Sequence, residues 1–337
     1  MILAADIGGT KTLLALFDDT GGHLIAMKRY ASADSSDFQA LLAEFLLEVL
    51  SSVPEGELIR AAGFGIAGPI TGGHGAQRVQ TTNLPWMLDS AAIARQLGGV
   101  PVWFVNDLVA SGRAAVSSPL AARVSLNPSA VYQEGHAAVI AAGTGLGEAL
   151  FFYDGARYHA MPTEGGHADF APNSALEAEL WAFLRTRLNG HVSVERVICG
   201  AGFSLLYEFL QAQGLGHPSP HMQARLASAA DPNAEITRQG VAGSDALSVQ
   251  VCQIFARIYG AEAGNLALKS LPLGGVFVAG AIAGHIAPFM AKEFMHGFLD
   301  KGRFRGLLET LPVWMVSADD LALKGAAQVA ASGLDAA

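Results

Sequence analysis

Ile2-Leu-Ala-Ala-Asp-Ile-Gly-Gly-Thr-Lys-Thr-Leu-Leu-Ala-Leu-Phe17 reads as an apolar strand ending in an acid, a Gly-Gly-Thr turn and a second apolar strand. Gly8 and Gly9 suit a tight hairpin turn and keep no side chain in a ligand's way. Successive backbone N–H groups in such a turn, Thr10 included, form a concave site for anions, typically phosphate. Asp6 stands where a carboxylate could hold a hydrated Mg²⁺ beside that phosphate. Lys11 either reaches a phosphate or solvates a strand edge. The Walker phosphate loop is excluded, because no Gly-Lys-Ser/Thr follows at the required spacing.

The same device returns further along. Residues 137–142 are apolar, Gly143-Thr-Gly-Leu-Gly147 is the turn, and Glu148-Ala-Leu-Phe-Phe-Tyr153 is the next strand. A shift of 134 positions sets Gly9-Thr10 on Gly143-Thr144 and Ala15-Leu16-Phe17 on Ala149-Leu150-Phe151 without a gap. Each copy continues into an Asp/Gly turn and a third short strand. Either hairpin alone could be an ordinary glycine-rich turn. The matched pair predicts a duplicated supersecondary unit, with two phosphate-gripping turns (Gly143, Thr144 and Gly145 in the second) holding one nucleotide.

The composition fits this reading. A chain of 337 residues, 51% hydrophobic and 15% charged, can build two cores. Its net charge of −9 argues against non-specific nucleic-acid binding. Cys199 and Cys252 form no Cys-x-x-Cys pair, so neither a zinc site nor a disulfide framework is implied, and a reducing cytoplasm is the simple expectation. The N-terminus has no basic start. The apolar stretch 270–291 is broken by Pro272, Gly274, Gly275, Gly280, Gly284 and Pro288, which reads as strand, turn and helix rather than a membrane span.

Hydrophobic spacing predicts helices over 38–51, 90–97, 108–116, 175–188, 194–198, 202–213, 246–271, 286–300 and 321–332. Strands are expected over 61–70, 100–105, 275–279 and 313–316, and 211–245 reads as loop around short helices. Strands alternating with helices mean α/β architecture.

Several residues on this frame could carry chemistry. Asp107 follows Asn106 at the end of an apolar strand, where α/β sheets place ligand-binding groups; it is a candidate general base or, equally, a helix N-cap. Glu164-Gly-Gly-His167 offers an acceptor and a donor suited to paired sugar hydroxyls, with a metal site and a plain polar turn as rivals. Asp169 is placed to orient His167. Glu195, two residues after a candidate cap at Ser193, reads on its own as a surface residue in a first helical turn. Gly280 would let a ring or ribose lie flat on the backbone, or would serve helix–strand packing.

Taken in order, Asp6-Ile-Gly-Gly-Thr10, Thr82-Asn-Leu-Pro-Trp86, Asn106-Asp107, Gly143-Thr-Gly-Leu-Gly147, Glu164-Gly-Gly-His-Ala-Asp-Phe-Ala-Pro-Asn-Ser174, Ser193-Val-Glu-Arg-Val197, Gly264-Asn-Leu-Ala-Leu268, Gly275-Val-Phe-Val-Ala-Gly280 and Asp300-Lys-Gly-Arg-Phe304 resemble the bacterial glucokinases outside the ROK group. That family lies within the actin/hexokinase superfamily. The resemblance implies a two-lobed actin-like ATPase fold of duplicated, ribonuclease H-like α/β domains with a cleft between them. The expected small lobe is 1–108 plus 318–337, and the large lobe 109–317. The implied reaction is ATP-dependent phosphorylation of D-glucose at O6, with Asp107 as base. Asn106, Glu164, His167 and Glu195 are the implied sugar ligands, which overturns the surface reading of Glu195. Asp6 would serve Mg²⁺ through water, the two Gly-Thr turns the phosphates of ATP, and Gly280 the adenosine. Thr82 and Asn83 would shape the sugar pocket. A homodimer is carried over from the family. The Cys-rich zinc motif of ROK kinases is missing, since Ala168-Asp169-Phe170 follows His167.

Overall fold

The computed structural model describes residues 1–35, 37–51, 57–81 and 84–335. Thr82 and Asn83 lie outside them. Contacts divide the chain into two units, Met1–Ser118 with Asp320–Ala337, and Pro119–Asp319.

In the first unit, β1 (Ile2–Ile7), β2 (Lys11–Phe17) and β3 (Leu24–Ala31) form the expected antiparallel meander. β4 (Ala61–Ile66) lies parallel to β1, giving a five-stranded order β3-β2-β1-β4 that ends on Val102–Asn106. A separate three-stranded sheet contains β5 (Ile70–Thr71), β6 (Arg78–Gln80) and β7 (Met87–Asp89); the closing strand of the main sheet, Val102–Asn106, is β8. β1 is buried on both faces, as a central strand with parallel pairing requires. Leu3, Ala5 and Ile7 pack with Phe38, Leu41, Leu42 and Phe45 of α1 (Phe38–Leu50). Ile2 and Ala4, on the other face, join Ala326, Ala327 and Ala330 of the C-terminal helix Leu321–Asp335. α2 (Ser90–Gln96) is capped by Asp89, whose Oδ1 accepts from the N–H groups of Ala91 and Ala92.

The helix Asp107–Ser117, α3, follows β8 directly. An expected domain boundary at 108 would cut it. The whole helix stays with the first unit because the C-terminal helix grips it: Arg113 donates to Ser332 Oγ at 2.7 Å, and Ser117 Oγ to Gln328 Oε1 at 2.9 Å.

The second unit repeats the plan. β9 (Val124–Ser125) is an edge strand, and β10 (Ala137–Ala142), β11 (Leu146–Tyr153) and β12 (Tyr158–Pro162) make a second meander. β13 (Gly275–Ala279) lies parallel to β10, and β14 (Val313–Met315) parallel to β13. The order β12-β11-β10-β13-β14-β9 thus reproduces that of the first sheet and adds an edge. Its helices include α4 (Ala175–Arg187), α5 (Gly202–Ala212), α6 (Pro220–Ser228), α7 (Pro232–Ala242) and α8 (Ala246–Ser270). α8 is the longest buried one, with Phe255, Tyr259 and Ala263 under the sheet.

The gapless match of residues 9–17 to 143–151 does not extend to the strands before the turns: Ile7 pairs with Thr12 across residues 8–11, whereas Ala142 pairs with Leu146 across 143–145, so the second turn is one residue shorter. Turns of that length do not need two left-handed residues, and among the described residues Gly8, Gly9, Gly143 and Gly145 all lack a positive φ. The helix expected at 286–300 instead starts as α9 (Ala281–His285), breaks at Ile286 (φ −104°, ψ 22°) ahead of Pro288, and resumes through a wide turn at Met290–Phe294. Among the described residues no helix is long and apolar enough to cross a membrane.

The grip on α3 depends on Gly325, where a β-carbon would overlap the carbonyl of Ala110. Gly325→Ala should therefore cost about 1–3 kcal/mol in urea unfolding. Gly306→Ala, in the helix Arg305–Glu309 with nothing within 4 Å of its β-carbon, should be neutral or mildly stabilising. Equal midpoints for Gly325→Ala and wild type would contradict this packing.

Candidate active site

Within the first unit, the C-terminal ends of the parallel strands carry the candidate residues. Asp6 is the fifth residue of β1, Asn106 the last of β8, and Asp107 the first of α3. The cap role falls to Asn106 and not to Asp107: Asn106 Oδ1 accepts from the N–H of Leu108 at 3.0 Å and of Val109 at 3.3 Å. With its carbonyl oxygen so used, Asn106 retains its amide –NH₂ as a donor. Asp107 Oδ1 accepts from the Leu108 N–H at 2.9 Å. Burial raises the Asp107 pKa above the usual aspartate value, and the Leu108 N–H offsets this in part.

Asp6 is raised more, from 3.8 to about 6, chiefly by burial; Lys11 pulls it down and the Asp107 charge pushes it up. Asp6 makes no hydrogen bond or ion pair among the described residues. A buried carboxylate without a protein partner, beside a second acid, fits an ion held mostly by phosphate and water with one protein carboxylate. Gly8 N–H is used inside the turn, donating to Lys11 O at 3.0 Å, and Ser32 Oγ braces the turn by donating to Gly8 O at 2.7 Å. The N–H groups of Gly9 and Thr10 have no such bond among the described residues.

The second unit brings three more candidates together. His167 Nε2 lies 3.9 Å from Glu164 Oε2, and its Nδ1 lies 3.7 Å from Glu195 Oε1. The segments are stitched by the Val194 N–H, which donates to Ala168 O at 2.9 Å. The Glu164 side chain is 90% exposed and that of Glu195 only 24%, so Glu195 is no surface residue. Its Oε2 accepts from the Leu146 N–H at 2.9 Å. Asp169 does not orient His167; it bonds His191 Nε2 at 2.7 Å and bridges to Ser193. Ser193 gives no side-chain cap to the short 3₁₀ turn Val194–Arg196 that carries Glu195.

The glycines of both motifs mark close approaches. A β-carbon at Gly145 would stand 2.5 Å from Glu195 Oε2, so this residue of the phosphate-type turn is also the bed for a sugar-ligand candidate. At Gly165 and Gly166 a β-carbon would overlap the Glu148 carboxylate and the Leu146 carbonyl. The Glu164–His167 turn therefore sits directly on β11. Gly143 N–H donates to Gly145 O, and Gly200 N–H to Gly143 O, both at 2.8 Å, while Thr144 is exposed. Gly280 has φ +86°, with a β-carbon position 2.5 Å from Ala142 O. Glycine is needed there for backbone and packing alike.

Sequence reasoning missed Glu148. The signal available was a lone acid in the apolar run Glu148-Ala-Leu-Phe-Phe-Tyr153. Among the described residues no group of three or more His, Cys, Asp or Glu could hold a metal ion.

The Asp6 burial predicts a stability difference. The folded chain keeps the Asp6 proton up to about pH 6, while an unfolded chain loses it from 3.8, so wild type loses stability as pH rises through that window and not above it. In protein free of Mg²⁺ and nucleotide, Asp6→Asn should match wild type near pH 4. It should gain up to about 3 kcal/mol above pH 6 in denaturation midpoints. A pH-independent difference, or a wild type more stable at pH 8, would contradict the burial.

Comparison with known proteins shows the family. A family model described as Glucokinase matches residues 3–333. A glucokinase of Nostoc punctiforme is 37% identical over 346 residues, covering 98% of this chain and 99% of that protein. The crystal structure of a glucokinase from an Antarctic psychrotroph superposes with a TM-score of 0.80 at 28% identity, over 97% of this chain and 98% of its own. A ROK family glucokinase from Streptomyces griseus, solved with glucose and AMPPNP, shares the fold at a TM-score of 0.63 and 19% identity, over 98% of this chain and 99% of its own. With α/β units built on one repeated plan, and a family match that runs through both, the chain belongs to the glucokinase family.

Proposed function

We propose that this protein transfers the γ-phosphoryl group of ATP to O6 of D-glucose. The observation that carries the reading is the grouping of Glu164, His167 and Glu195 from two separate segments, with the His167 ring 3.9 Å from Glu164 and 3.7 Å from Glu195, and with Glu195 Oε2 taken up by the Leu146 N–H. In this reading the two carboxylates accept from sugar hydroxyls, and His167 donates or accepts according to its tautomer. The free amide group of Asn106 donates to a further sugar oxygen. Asp107 takes the O6 proton as the oxygen bonds to phosphorus and ADP leaves; a carboxyl whose pKa is raised by burial is a better base than an ordinary one.

The backbone of Gly8, Gly9 and Thr10 and of Gly143, Thr144 and Gly145 would cradle the phosphates, with Lys11 as a nearby cation, and Gly280 would flank the adenosine. Mg²⁺, held through water at Asp6, would neutralise the phosphate charge. A cytoplasmic homodimer completes the proposal.

The test is a hexose panel with Mg-ATP, run on wild type and Asp107→Asn. Glucose should exceed mannose and galactose in kcat/KM, because a misplaced hydroxyl leaves a buried polar group unpaired at about 1–3 kcal/mol. Asp107→Asn should lose about 10²–10⁴-fold in turnover while glucose affinity stays within roughly tenfold. Near-wild-type turnover would remove Asp107 from its role, and a clear win for another hexose would replace the substrate.

A further inference from the structure

Glu148 is 2% exposed and is none of the proposed phosphate or sugar ligands. It pairs across the sheet with Ile140, on the face that α8 covers. Its carboxylate fills the space that a β-carbon on Gly165 would need. The strand and the turn are tied at the same point: Thr163 Oγ1 donates to Glu148 O at 2.8 Å, and the Gly165 N–H donates to Thr163 Oγ1 at 3.1 Å. Among the described residues Glu148 Oε1 is buried without a hydrogen-bond partner. The carboxylate of Glu262, on α8 and also buried, is near enough to push the Glu148 pKa up further. Two carboxylates can bond only if one carries a proton, so the orphaned oxygen and the neighbouring acid together call for a shared proton.

We propose that Glu148 is a positioning residue whose carboxyl, sharing one proton with Glu262, forms the floor on which the Glu164–His167 turn is set. The proposal rests on the sugar-binding reading of that turn.

The proton belongs on Glu148. Glu262, also buried, accepts from Asn265 Nδ2 at 2.9 Å and has Lys269 Nζ at 3.9 Å from Oε1. Burial raises Glu148 to about 7, and the Glu262 charge adds to it, with Lys269 opposing. The other groups facing the pair are Tyr259 of α8, a neutral phenol held by Ala142, and Lys301, which burial and Glu262 affect in opposite senses. Glu164 and His167 stand on the turn itself. As pH rises past neutral, Glu148 loses its proton and two like charges meet under Gly165. The turn then loses its seat, and the sugar loses the correct placing of Glu164 and His167.

The experiment measures glucose affinity by calorimetry from pH 6 to 8.5 on wild type, Glu148→Gln and Glu262→Gln. Glutamine at 148 keeps the shape and supplies a permanent donor to Glu262. Wild type should weaken about tenfold more over this range than Glu148→Gln, since only the protonated fraction is competent. Glu262→Gln removes the like charge and should reduce the dependence as well. Glu164, His167 and Glu195 are unchanged in all three proteins, so their own titration cancels in the comparison. Hydrogen exchange of segment 163–168 without sugar, corrected for intrinsic rates, should show protection falling with pH in wild type and not in Glu148→Gln. Superimposable affinity profiles or exchange curves for wild type and Glu148→Gln would overturn the proposal. If wild type binds no glucose at any pH, the substrate reading fails, and the exchange measurement still decides the role of Glu148.

Discussion

A carboxyl taken out of water keeps its proton unless a charge or a set of donors replaces the lost hydration. That constraint ties together most of the chemistry in this chain. Asp6, Asp107 and Glu148 are all held by strands or strand ends, and burial is the leading cause of the raised pKa in each. What separates them is the compensation on offer. Among the described residues Asp107 accepts from the Leu108 N–H and suits a base, Asp6 has no bonded partner and suits a cation, and Glu148 has another acid nearby and suits a shared proton. Buried strands and their ends thus give three carboxyls different settings through different neighbours.

The glycine-rich motifs have a second purpose besides leaving room for ligands. Gly145, Gly165 and Gly166 let a turn rest on a carboxylate or a carbonyl without an intervening side chain. The approach fixes Glu195 beside Leu146 and the Glu164–His167 turn on β11. Placing by backbone contact is stiffer than placing by long side chains, which is what an oriented set of hydroxyl ligands needs.

Much of this was legible in the sequence. The duplicated meander could be read because both hairpins carry apolar strands of matching length around a Gly-Thr turn, and the helices with clear periodicity, such as 38–50 and 246–270, appear where spacing put them. The one-residue difference between the turns was hidden, since Gly9-Thr10 and Gly143-Thr144 align equally well on either count. α6 and α7 are the short helices expected within the Gly-, Pro-, Ser- and Ala-rich stretch 211–245, and Ser219-Pro220 and Asp231-Pro232, cap followed by proline at the first helical position, mark their starts. Candidates within a motif were legible as residues, but not their partners: nothing local links Asp169 to His191, or Glu148 to Glu262, because those pairs are made by tertiary packing across 22 residues in the first case and by α8 in the second.

The central claim is that Glu164, His167 and Glu195, grouped within the second unit, are the proposed sugar ligands. Calorimetric titration with glucose of Glu164→Gln, His167→Ala and their combination tests it most directly. The account predicts one glucose per chain in wild type, a loss of about tenfold for each single change and a further loss for the pair. If both single variants and the pair bind glucose as wild type does, the sugar is held elsewhere and the account is contradicted.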